Sequence, residues 1–285
     1  MVSTSIENQN YGRGRFPTSR KWLPALERSR ALEWGQSESD AVDQAMAVFQ
    51  KELLDSPQAL KCLTDNGISR AAIGHFGLGY AVRAASKGIP SGETYEGAKL
   101  RGRLQDVGIL RMSGCVHFSG SIVAPVRSES GKIVDIYGRK IGFKLKHGTA
   151  YHTSIYDPPQ GIFNLPALFG QHQVVLCGDL FDALSFWSGG VQNITTMVGP
   201  RGFTDLHLEV FEAIGIKEVV IALPAGREDA KTARTIAQAL DTVGIHCTKT
   251  VLPREVDNAE LLADLVRNGP LVWQDAGDMQ RDLPQ

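Results

Sequence analysis

The positions best placed for chemistry in this chain lie where two apolar runs end. Val174-Val175-Leu176-Cys177 is followed by Gly178-Asp179-Leu180-Phe181-Asp182, and Val219-Val220-Ile221-Ala222-Leu223 by Pro224-Ala225-Gly226. Each run reads as a buried strand, and the first passes directly into helical sequence. In a parallel α/β sheet, ligands bind in the crevice outside such strand ends. Enzymes that grip metal ions there need carboxylates at the ends. This chain has Gly178, Pro224 and Gly226 at those points, and none of them carries a side-chain oxygen. A second group is basic: Arg139 and Lys140 end an alternating apolar stretch, and Lys144, Lys146 and His147 follow. Such a segment either runs along phosphates as a ridge or is the solvated edge of a sheet.

The elements that must position these residues follow from periodicity. From 173 to 252, buried strands near 174–177, 192–196, 217–222 and 246–251 alternate with helices near 180–188, 204–214 and 227–243. Strands separated by helix-length segments imply right-handed crossovers and a parallel sheet. In the last helix Ala230, Ala233, Ile236, Ala237, Leu240 and Val243 mark the buried face. Between 114 and 141 the period becomes two. Val116, Phe118, Ile122 and Val123 precede a turn at Ser130-Gly131, and Ile133, Val134, Ile136 and Tyr137 follow it, which is a hairpin pattern. Residues 39–78 read as helical. Ser56-Pro57 places an N-cap before Pro at the first helical position, and Ser69 can cap the next turn. Residues 84–99, rich in Gly, Ser and charge, read as a loop.

A chain of 285 residues holds one large or two modest domains, and 42% hydrophobic with 21% charged residues is globular composition. The net charge of −1 excludes a global attraction to nucleic acid or membrane, so any basic surface is local. One such locality is the amino-terminal arm. Between positions 11 and 30, Arg13, Arg15, Arg20, Lys21, Arg28 and Arg30, interleaved with Tyr11, Phe16 and Trp22, face a single acid, Glu27. Two readings stand: an arm that contacts phosphates, or a solvated tail pinned by Trp22 and Leu23. Cys62, Cys115, Cys177 and Cys247 are scattered without a C-x-x-C pair, as expected of reduced thiols in a cytoplasmic protein. No apolar run reaches the roughly 18 residues of a membrane span, and the amino terminus is polar rather than signal-like.

Several short segments carry a resemblance by their order. Leu54-Asp55-Ser56-Pro57-Gln58-Ala59, Asn66-Gly67-Ile68-Ser69 and Phe76-Gly77-Leu78-Gly79-Tyr80-Ala81 come first. Leu100-Arg101-Gly102-Arg103-Leu104, Gly120-Ser121-Ile122-Val123-Ala124-Pro125-Val126 and Ile136-Tyr137-Gly138-Arg139-Lys140 follow. Tyr151-His152-Thr153-Ser154 and Gly161-Ile162-Phe163-Asn164 complete the series. Together, over roughly residues 45–265, they resemble the catalytic core of bacterial DnaG-type primases. The closest likeness is to primase-like Toprim-domain proteins of mobile elements. The resemblance implies an α+β amino-terminal subdomain at 40–165, after a basic arm at 1–39. A Toprim-like α/β subdomain with a central parallel sheet is then expected at 166–268, and a tail at 269–285.

In such proteins the Toprim module carries a Glu after its first strand (E-G-x-x-D) and a D-x-D after its third. These hold divalent metal, which activates the attacking hydroxyl and neutralises the triphosphate. Asp182 matches the second acid of the first motif. On that anchor the Glu position falls on Gly178 and the D-x-D on Pro224-Ala225-Gly226. Mg or Mn is therefore expected only if Asp179, Asp182, Glu228 and Asp229 rebuild an acidic site. Acids in the first turn of a helix are equally explained by its dipole. The family's zinc-binding module has no counterpart in the Cys and His spacing here. The resemblance thus implies a catalytically inactive primase-like protein: a nucleic-acid-binding or scaffolding subunit in a mobile-element, replication or defence system. Arg101, Arg103, Arg127, Arg139, Lys140, Lys144, Lys146 and Arg201 would contact backbone phosphates of DNA or RNA, with a protein partner supplying any catalysis. The alternatives are a metal-dependent primase, nucleotidyltransferase or nuclease with a rebuilt acidic site, and a protein-interaction module without a nucleic-acid role.

Overall fold

The computed structural model of the chain describes residues 33–82, 88–142, 145, 147–199, 202–224, 227–252 and 274–275. The arm up to residue 32, Lys144, Lys146, Arg201, Gly226, the side chain of Glu228 and the tail from 276 lie outside the described residues.

Three helices open the described chain: α1 (Gln36–Leu54), α2 (Pro57–Asp65) and α3 (Arg70–Phe76). Helix α1 starts inside the stretch read as an arm. Just before it, Glu33 accepts hydrogen bonds from the hydroxyls of Ser128 and Ser130, at 2.7 and 2.6 Å. Ser56 caps α2 through the Ala59 N–H and Ser69 caps α3 through the Ala72 N–H, as their spacing predicts. Then come β1 (Gly79–Ala81), α4 (Tyr95–Asp106), β2 (Ser121–Arg127), β3 (Ile133–Lys140) and β4 (His152–Thr153). These four strands form an antiparallel sheet in the order β1-β2-β3-β4. The remainder is α5 (Leu165–Leu168), β5 (Gln173–Cys177), α6 (Leu180–Ser188), β6 (Ile194–Thr196), α7 (Asp205–Ile214), β7 (Glu218–Pro224), α8 (Arg227–Thr242), β8 (His246–Leu252) and β9 (Gln274–Asp275). The second sheet runs β6-β5-β7-β8-β9, parallel except for β9.

One segment departs from the sequence reading. The loop expected over 84–99 gives way to α4 at Tyr95, with Thr94 as the N-cap accepting from the Gly97 N–H at 3.1 Å. The periodicity hides this helix because its buried face is only Gly97, Leu100 and Leu104. Gly97 is required there: a Cβ would sit 1.9 Å from the carbonyl oxygen of Ser91. Gly97→Ala should therefore destabilise the protein by about 1–3 kcal/mol, despite alanine's better helix propensity. Urea unfolding measures this, and an unshifted midpoint would mean that the 89–92 turn yields without cost.

The layers explain why β2 and β3 are apolar on both faces rather than alternating. Helices α1 and α4 cover one face of the antiparallel sheet, with Phe49, Leu100 and Leu104 against Val123 and Ile136. Helices α2, α3 and α6 lie between the two sheets in one core, where Leu63, Phe76, Leu180 and Phe186 join Ile122, Tyr137, Val175 and Val220. Helices α7 and α8 cover the far face of the parallel sheet. One core thus holds residues from both sheets. Within β3, Asp135 is 1% exposed, and its carboxylate accepts from the N–H groups of Ile136, Ile155 and Gln160 at 2.7, 2.9 and 2.8 Å. Among the described residues no helix is long and apolar enough to cross a membrane.

Candidate functional site

Strands β5 and β7 pair in register from Gln173–Glu218 to Cys177–Ala222, so Gly178 and Leu223-Pro224 end side by side. Directly after Gly178, Asp179 caps α6: one carboxylate oxygen accepts the Phe181 N–H at 2.9 Å. The other oxygen is held from the opposite sheet. Tyr137 and Arg139, two residues apart on β3, project from the same face. Arg139 Nε donates to Asp179 Oδ2 at 2.9 Å, with each side chain 22% exposed. The Arg139 guanidinium lies 4.9 Å from the ring centre of Phe181 and 5.2 Å from that of Tyr151, within cation–π range of both. It also donates to the Lys140 carbonyl.

Beside this pair, β4 places His152 across from Arg139. The Tyr137 hydroxyl is 2.8 Å from His152 Nδ1. Burial, with Asp179 nearby, holds the Tyr137 pKa well above the usual phenol value, so this hydroxyl stays protonated. Burial lowers the His152 pKa and favours the neutral form.

A cleft of about 240 Å³ opens at the strand ends, lined by His152, Gly178, Asp179, Asp182, Leu223, Pro224, Asp229 and Thr232. Asp182, in the first turn of α6, has its pKa raised to about 7. Burial is the main cause, repulsion by Asp179 adds to it, and Arg139 opposes it. The fold brings Asp179, Asp182 and Asp229 to one cleft, yet they do not fit the divalent-metal chemistry that the resemblance implies. Both oxygens of Asp179 are engaged. Pro224 offers no side-chain oxygen. At Gly178 a Cβ would sit 2.5 Å from Leu223 Cδ2, so the tip of Leu223 would have to move to admit a side chain there. Among the described residues, no three His, Cys, Asp or Glu side chains come together as a metal-binding group.

Among the described residues, the expected basic side chains Arg101, Arg103, Arg127, Arg139 and Lys140 sit on different parts of the fold. Arg139 faces the parallel sheet, and Lys140 donates to the Ser119 carbonyl. Arg127 pairs with Ile133 at the other end of the hairpin, and six extended residues separate Ile133 from Arg139, roughly 20 Å. Arg127 instead donates to the Gly131 carbonyl at 2.8 Å. Arg101 and Arg103 belong to α4, on the outer face of the antiparallel sheet. Arg101 reaches the carbonyls of Pro90 and Gly114 at 3.4 and 3.5 Å. His152, Tyr151 and Phe181 entered the sequence reading only as motif letters. Their role around Arg139 comes from strand pairing that local sequence does not encode.

No family model matches the chain. The chain is 29% identical over 164 residues to the DNA primase of Thermotoga maritima, an alignment covering 53% of this chain and 28% of that protein. It thus spans little more than a quarter of this curated relative. The Aquifex aeolicus primase (zinc-binding and RNA polymerase domains) matches the fold with a TM-score of 0.63 at 17% identity, over 86% of this chain and 60% of that one. A DnaG primase catalytic domain bound to single-stranded DNA matches at 0.62 and 18%, over 85% and 77%. The RNA polymerase domain of Mycobacterium tuberculosis DnaG in complex with double-stranded DNA matches at 0.62 and 19%, over 82% and 81%. The fold is that of the DnaG primase catalytic core. Its α+β half, its parallel sheet and its chain order all agree with the resemblance read from sequence.

Proposed function

We propose that this chain is a nucleic-acid-binding relative of the DnaG catalytic core that does not itself synthesise primers. It would act as a binding or scaffolding subunit in a replication, mobile-element or defence system, with any catalysis coming from a partner. One observation carries this reading: the strand ends where primase-like proteins hold metal present Gly178 and Pro224, and Asp179 is committed to Arg139 and to the α6 cap. Two solved relatives of the same fold are complexes with single- and double-stranded DNA, which supports nucleic acid as the ligand. Arg101, Arg103 and Arg127 would then hold phosphates, which positions a strand without reading its sequence.

Fluorescence anisotropy with mixed-sequence single-stranded DNA and RNA tests the binding. Affinity should fall with salt, with a log–log slope of about −0.7 per phosphate contacted. Arg101→Glu with Arg103→Glu should weaken binding about tenfold, or about 1.4 kcal/mol. Primer synthesis should be absent with Mg²⁺ or Mn²⁺; metal-dependent synthesis would refute the inactive assignment. The net charge of −1 favours a second reading, a module that contacts only protein. Absence of binding even at about 50 mM salt would select it.

A further inference from the structure

We infer that the turn between β2 and β3 is a phosphate site occupied in cis by Glu33, and that a backbone phosphate of a nucleic-acid strand displaces this carboxylate from Ser128, Ser130 and Lys132. This rests on the nucleic-acid reading and deepens it by naming a contact at the hairpin turn.

The turn is built to gather donors on one oxyanion. The Ser128 N–H donates to the Lys132 carbonyl at 2.9 Å and the Gly131 N–H to the Ser128 carbonyl at 3.0 Å, which closes it. The Ser128 and Ser130 hydroxyls lie 3.0 Å apart, and both donate to Glu33 Oε1, at 2.7 and 2.6 Å. Lys132 Nζ stands 3.4 Å from Oε2. Ser128 is fully buried, so its hydroxyl serves Glu33 rather than bulk water. Two hydroxyls and an ammonium around one anion is a donor set that also suits a phosphate. Burial alone would raise the Glu33 pKa, but the hydroxyls of Ser130 and Ser128 and the Lys132 ammonium outweigh it and hold the carboxyl below its usual value. The surroundings favour a strand phosphate as the replacement. Ser130 and Lys132 also line a cleft of about 240 Å³ with Ser39, Arg127 and Asp43, two cations against one carboxylate. Arg127 is exposed and donates through Nη1 to the Gly131 carbonyl. In the sequence, Glu33 closely follows the basic stretch that ends with Arg28 and Arg30. Positive charge thus flanks the carboxylate both along the chain and across the turn. Lys132 is half-exposed, so its pair with Glu33 contributes little. A polyanion that gains several phosphate contacts at once can displace it.

The test is fluorescence anisotropy of the full chain with mixed-sequence single-stranded DNA over a salt series, for wild type, Glu33→Gln, Lys132→Gln and the double variant, each shown to be folded by circular dichroism. Glu33→Gln should bind about threefold or more tightly than wild type, because the competing carboxylate is gone. Lys132→Gln should make the log–log salt slope shallower by about 0.7, the loss of one phosphate contact. In the Lys132→Gln background the gain from Glu33→Gln should disappear. Wild-type binding that Glu33→Gln does not improve overturns this inference and leaves the proposed function standing. So does a gain that persists undiminished without Lys132, since it would reflect net charge alone. No DNA binding by any of the four at about 50 mM salt overturns the nucleic-acid reading as well. Calorimetric titration of inorganic tripolyphosphate separates a strand from a free anion: a gain in Glu33→Gln for tripolyphosphate but not for DNA overturns the strand assignment. Should Glu33→Gln fail to fold, Lys132→Gln carries the test, and an unchanged salt slope overturns the inference.

Discussion

Asp135→Ala should lower the free energy of unfolding by about 3–5 kcal/mol, seen as a large fall in the urea midpoint with little change in slope. The carboxylate is 1% exposed and gathers three backbone N–H groups from different parts of the chain: its own strand at Ile136, the segment after β4 at Ile155, and the loop at Gln160. Burial raises its pKa to about 7, and those three donors pull the other way. Alanine leaves all three N–H groups without this acceptor, at about 1–3 kcal/mol for each that water cannot reach. Asp135→Asn should cost less, about 2 kcal/mol, because one amide oxygen still accepts while the NH₂ group meets an N–H donor. A cost below about 1 kcal/mol for alanine would show that water takes the carboxylate's place. The effect also reaches the cleft, because Asp135 ties the 155–160 segment to the strand that carries Tyr137 and Arg139.

Asp182→Asn should stabilise the protein at pH 8 by about 2 kcal/mol and leave it unchanged near pH 4. The native carboxyl titrates at about 7, raised by burial and by Asp179, against roughly 3.9 in the unfolded chain. Between those values the native state holds a proton that the unfolded state has released. Stability from this group is therefore complete below about 4, falls as pH rises, and is lost above about 7. At 1.36 kcal/mol per unit the ceiling is about 4 kcal/mol, and partial solvent contact through the cleft reduces it. Asparagine stays neutral throughout, so the variant's advantage over wild type should grow from pH 4 to 7 and then level off. Asp135 titrates in the same range but is present in both proteins, so its contribution cancels in this difference. A pH-independent difference in denaturant midpoint would show that Asp182 is ionised throughout that range.

The sequence by itself determined the order of elements from 173 to 252. A parallel strand covered on both faces must be a continuous apolar run, and its crossover helices must be amphipathic, so both periods are written locally. It also determined the helix starts at Ser56 and Ser69, because a cap is a bond between residues three apart. What Gly178 and Pro224 bring to the strand ends was legible for the simplest reason: neither has a side-chain oxygen in any fold. Helix α4 was not legible, because burying three small or apolar residues leaves too little pattern over a polar segment. Tertiary structure alone decided that Arg139 answers Asp179, forty residues away on another sheet. It alone placed His152 beside Tyr137 and sent Arg127 to the far end of its hairpin. Those outcomes depend on strand register and on how two sheets close over a shared core, and neither leaves a periodic trace in the residues involved.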